Sequence, residues 1–94
     1  MNTVKSIGRF ALGQVVITRG ASKKLDERHV WSALNRHVNG DWGDLCDDDW
    51  ALNNAAVESD ARLLSRYLTH DGTCFWIITE WDRSVTTILL PEEY

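Results

Sequence analysis

Ninety-four residues, 44% apolar and 26% charged, make one domain with a single core and no second one. The net charge of −4 is split: residues 1–40 carry seven basic groups against two acids (+5), and residues 41–94 carry three against twelve (−9). That balance, with a pI near 5.2, argues against direct nucleic-acid binding, which needs a concentrated positive footprint.

Taken from the N-terminus, MNTVKSIGRF has no apolar run of secretory-signal length, and no later stretch approaches the ~18 apolar residues of a membrane span. The expected location is the cytoplasm. GQVVITR, Gly13 to Arg19, reads as a strand: Val15, Val16 and Ile17 are β-branched between glycines, and the near-continuous apolar run predicts a core strand buried on both faces. From Ser22 to Val38 the period is helical. Val30, Leu34 and either His37 or Val38 share one face, with Trp31 beside it; Ser22 is the expected N-cap, Asp26 and Glu27 favour the dipole, and Gly40 suits a left-handed C-terminal position. A second helix is predicted from about Asp47 to Glu58, alanine-rich and docked through Trp50 and Val57. The last third reads as a β-meander. RLLSRYLT and CFWIITEW flank Asp71-Gly72, which suits a two-residue type I′ turn and sets Leu68 opposite Phe75, Tyr67 opposite Trp76 and Arg66 opposite Ile77. CFWIITEW is apolar on both sides and reads as a central strand covered on each face; VTTILL follows after DRS. The fold class is α+β, in the order β-α-α-β-β-β: a small antiparallel sheet with two helices packed on it, one domain over residues 1–94.

The stretch GDWGDLCDDDW, residues 40–50, concentrates five aspartates and two tryptophans. It fails as a calcium loop, because Gly43, Leu45 and Cys46 stand where ligands and the turn glycine belong. Cys46 and Cys74 form no disulfide framework or zinc spacing, so neither metal nor cofactor is expected. Helix entry explains most of the aspartates: Asp47, Asp48 and Asp49 suit a first turn, and Asp44 suits an Asx turn. Tryptophan beside charge is also a binding-surface composition, so Asp41, Trp42, Asp44, Asp47, Asp48, Asp49 and Trp50 form the candidate partner-binding set. A weaker set is His37, Glu80, Asp82 and Arg83. There TEWDR offers a carboxylate pair with an arginine, or simply the second hairpin turn with Arg62 or Arg83 pairing Glu80. His37 itself reads as a packed or capping residue rather than a base.

GDWGDL, RLLSRY and the block WIITEWDRSVTTILLPEEY resemble a family of small bacterial proteins found on plasmids and other mobile elements, some labelled restriction-related. The resemblance runs from LGQVV to PEEY, and it implies no catalytic residues. It implies a non-enzymatic accessory protein that binds a host protein or complex, inhibiting or modulating defence or nucleic-acid processing. Two other readings stand beside it: a metal-dependent hydrolase or nuclease using His37, Asp41, Glu80 and Asp82, and a homodimer with tryptophans at its self-interface.

Overall fold

The computed structural model describes residues 8–94. Residues 1–7, including Lys5 and most of the stretch weighed as a secretory signal, lie outside the described residues. The chain forms β1 (Gln14–Ile17), α1 (Arg19–Lys24), α2 (Glu27–Val38), α3 (Asp47–Ser59), β2 (Leu63–Leu68), β3 (Cys74–Thr79), β4 (Val85–Leu89) and a closing 3-10 turn (Pro91–Glu93). The α+β class and the element order agree with the sequence reading, with one helix more. Among the described residues no helix is long and apolar enough to cross a membrane.

The extra helix comes from a break at Leu25. Thr18, not Ser22, caps α1 through its side chain, and Asp26 caps α2 by accepting from the Arg28 N–H at 2.8 Å. Between them Leu25 is extended and turns its side chain into the core, where it is 8% exposed. An aspartate that leaves the helical backbone to satisfy orphan N–H groups starts a new helix more readily than it continues an old one. Gly40 follows α2 with φ +83°, the left-handed position expected of it.

The sheet runs β1-β4-β3-β2. The meander is antiparallel, but β1 lies parallel to β4, so the sheet is mixed rather than wholly antiparallel. Leu63, Ser65 and Tyr67 register with Thr79, Ile77 and Phe75, and these with Thr86 and Ile88. On that face Tyr67, Phe75, Ile77 and Ile88 pack with Ala21, Leu25, Ala33 and Leu34 of the helical layer. A second cluster joins Trp42, Ala56 and Leu63, with Phe10, Leu45, Trp50 and Val57 around it.

The β2–β3 register is one residue away from the expected one: Leu68 faces Cys74, Tyr67 faces Phe75 and Arg66 faces Trp76. The loop has three residues, His70 to Gly72, not two. Only Gly72 has positive φ, the Gly72 N–H donates to the Thr69 carbonyl at 3.0 Å, and Asp71 accepts from the Thr73 N–H. Asp71 closes the turn with its side chain and so need not adopt the left-handed backbone that a type I′ turn demands.

β1 departs most from expectation. It is the outermost strand, and Val15, Val16 and Ile17 are exposed rather than buried on both faces, at 40, 37 and 42%.

Candidate functional site

The acidic stretch divides between three structural tasks. Asp41 takes a paired hydrogen bond from Arg36 at 2.8 and 3.2 Å and accepts from the Gly43 N–H, and that guanidinium holds its carboxyl below the usual carboxylate range. The Asx turn thus sits at Asp41, not at Asp44. Asp44 pairs instead with Arg66 of β2, 2.6 Å away. Asp47, Asp48 and Asp49 occupy the first turn of α3, exposed to solvent, as expected of helix-entry residues.

Trp42 has no exposed surface. Its indole N–H donates to the Asn54 side chain at 2.9 Å, and its ring packs against Phe10 and His37. It belongs to the core and offers a partner nothing, which removes it from the candidate binding set. Trp50 is half-buried and donates to the Gly43 carbonyl at 3.1 Å. With the Tyr67 hydroxyl on the Asp41 carbonyl at 2.7 Å, aromatic donors hold the 41–43 backbone against β2. The two tryptophans accompany the aspartates because the loop must be anchored before α3 can begin.

The weaker set does not converge. Glu80 pairs with Arg62 at 3.5 Å, and Asp82 accepts from the Ser84 N–H and hydroxyl within its own turn. Arg83 points back to the Ala56 and Ala61 carbonyls at 3.0 and 2.7 Å, a cation placed on the C-terminal end of α3. Among the described residues no three His, Cys, Asp or Glu side chains are placed to hold a metal ion.

His37 is completely enclosed and lies within a chain of hydroxyls that sequence reasoning missed. Ser65 Oγ lies 2.5 Å from Nδ1, Thr79 Oγ1 2.9 Å from Nε2, Thr86 Oγ1 2.7 Å from Thr79, and the Thr86 hydroxyl donates to the Leu12 carbonyl at 2.7 Å. A carbonyl only accepts, and each hydroxyl has one proton, so the direction is set from the Leu12 carbonyl back to the ring: Thr86 gives to Leu12, Thr79 gives to Thr86, and His37 Nε2–H gives to Thr79. Burial, with the Arg83 charge nearby, pushes the imidazole pKa down to about 3, so the ring is neutral and Nδ1 accepts from Ser65. Ser65 and His37 have the contact of a nucleophile and its base, but neither has any surface for a substrate to reach. The strand alternation of Ser65, Thr79 and Thr86 facing one helix was the only sequence signal for this chain.

The two sheet edges differ. At β2 the Asn53 side-chain amide donates to the Leu64 carbonyl at 2.6 Å and accepts from its N–H at 3.3 Å, standing in for a neighbouring strand. Further along, the Arg66 N–H donates to the Trp42 carbonyl and the Asp44 N–H to the Arg66 carbonyl. At β1 the Gln14 and Thr18 N–H groups point to β4, donating to Ser84 and Ile88. By strand alternation, Val15 and Ile17 turn their N–H and C=O groups outward, and among the described residues nothing pairs with them. Beside this edge a groove of about 390 Å³ runs between β1 and α2, lined mainly by Val15, Ile17, Leu25, Val30, Trp31 and Leu34. Trp31 is 63% exposed at its rim.

No family model, curated protein or solved structure matched the chain in comparison.

Proposed function

We propose that this protein is a non-enzymatic interaction module that receives an extended segment of a partner along β1. The observation that carries this reading is the β1 edge, open among the described residues and beside an apolar groove, in a sheet whose other edge is closed by Asn53 and residues 42–44. Main-chain groups at Val15 and Ile17 supply the ladder, and the groove takes alternate side chains. A β-branched edge without charge invites pairing, and only the shortness of this four-residue strand blunts it. A host defence or nucleic-acid-processing complex as the target rests on the mobile-element resemblance.

The acidic end of α3 supports a partner site less well, because structural tasks account for each of its aspartates. The hydrolase reading has no assembled group of side chains behind it.

The test is capture from host lysate by tagged wild-type protein and by Val15→Pro. Proline at 15 removes an outward N–H and leaves the bonds to β4 in place. A stoichiometric partner held by the wild type should be lost with Val15→Pro and weakened by Trp31→Ala. Retention by Val15→Pro, with loss on converting Asp47, Asp48 and Asp49 to asparagine, would move the site to α3.

A further inference from the structure

We infer that, until a partner takes it, the β1 edge pairs with β1 of a second copy, giving a twofold dimer with one continuous eight-stranded sheet. The inference rests on the strand-addition reading and names what occupies that edge in the free protein.

Strand parity fixes how two such edges meet. Val15 and Ile17 carry the outward main-chain groups, so in an antiparallel pair each faces an outward residue of the second copy; the register that uses both puts Val15 opposite Ile17, Ile17 opposite Val15 and Val16 on the twofold axis. This register is the same from both sides, as an isologous contact requires. It places Val15 and Ile17 of each copy on the helix-facing side, in line with the other copy's groove, where Leu25, Val30 and Trp31 provide apolar walls. The strand carries no charge from Gln14 to Thr18, so nothing across the axis repels.

The area fits a real but weak dimer. The exposed parts of Val15, Val16, Ile17 and Trp31 lie along the edge and its groove, a contact of the size found in weak, transient association. Because β2 is already closed, pairing ends at two copies instead of growing into a filament.

The experiment is analytical ultracentrifugation of the full chain from about 1 to about 500 µM, a range in which a weak dimer forms. Mass should rise with concentration from 10.7 kDa to twice that value and stop there. Val15→Pro and Val16→Lys should each stay monomeric over the range, at least a tenfold weakening, with wild-type circular dichroism; Val16 is exposed, so lysine there leaves the monomer intact. A single 10.7 kDa species throughout, growth beyond the dimer, or a dimer unaffected by both variants would overturn the inference. If the wild type is monomeric but Val15→Pro still loses a lysate partner, the inference fails and the strand-addition reading stands. If capture is also indifferent to Val15→Pro, both fall.

Discussion

The Nδ1 atom of His37 stands 2.5 Å from the Ser65 hydroxyl, and neither residue has any contact with solvent. Its Nε2–H is committed to Thr79, and enclosure, which penalises a charged ring, keeps a second proton off Nδ1. Its pKa of about 3 in the folded chain lies below the ordinary histidine value of 6.5. Between those limits the unfolded chain binds a proton that the folded chain refuses, so stability falls as pH is lowered from about 6.5. The slope is at most about 1.4 kcal/mol per pH unit, and the residue contributes no pH dependence above that window. Urea midpoints at pH 7, 6 and 5 should fall in sequence. In His37→Asn the protein is weaker overall but flatter from pH 6.5 to 5, above the range where carboxylates titrate. A wild-type midpoint that is level across this range would contradict the enclosed neutral ring.

Trp42 is the largest side chain with no exposed surface. Trp42→Ala should therefore cost about 3–5 kcal/mol, the range for emptying a large aromatic site. Trp42→Phe keeps much of the packing and forfeits the indole bond to Asn54; Asn54 is exposed and its amide oxygen turns to water, so the lost bond should cost only about 0.5–1.5 kcal/mol. Chemical denaturation measures both. A Trp42→Ala protein of near wild-type stability would mean that the ring is not in the core.

Element order was legible because local signals carry it: glycines and β-branched runs mark β1 and β4, and alanines mark α3. What was not legible depended on which of several local choices tertiary contacts favour. Asp26 could serve an existing helix as a first-turn acid or start another as its cap, and burial of Leu25 decides for the second. Asp71-Gly72 could form two turns, and the Asp71–Thr73 bond selects the longer one, shifting every pair of the hairpin by one. The run VVI reads the same in a central strand as at an edge, since hydrophobicity says nothing of how many neighbours a strand has. Trp42 and Trp31 show the same limit: the tryptophan set among aspartates is enclosed, and the one beside a helical apolar stripe stands 63% exposed.

Asn53 closes the β2 edge with one side chain, and its removal has two separate consequences. Asn53→Ala leaves the Leu64 N–H and carbonyl without partners and should cost about 1–3 kcal/mol. Asn53→Asp accepts from the N–H but cannot donate to the carbonyl, and should be no better. Because the variant has two open edges, it should also form species larger than a dimer at concentrations where the wild type stops at two. Light scattering on matched samples separates the effects: loss of stability without larger species would mean that residues 42–44 alone protect this edge.

The first turn of α3 has Cys46 at its N-cap, in the extended conformation of a cap but with no side-chain bond to the N–H groups it faces. Those groups are stabilised mainly by the field of Asp47, Asp48 and Asp49. Converting all three to asparagine should cost about 1–3 kcal/mol at low salt and less at high salt, because exposed charges at a helix end are screened. Cys46→Ser supplies the missing acceptor at an exposed position and should stabilise by about 0.5–2 kcal/mol. In the triple-asparagine background the gain from Cys46→Ser should be at least as large, since both devices serve the same orphan donors and one matters more when the other is gone. Thermal melts of the four proteins form a double-mutant cycle. A triple-asparagine protein as stable as the wild type at low salt would mean that the aspartates do not serve the helix end.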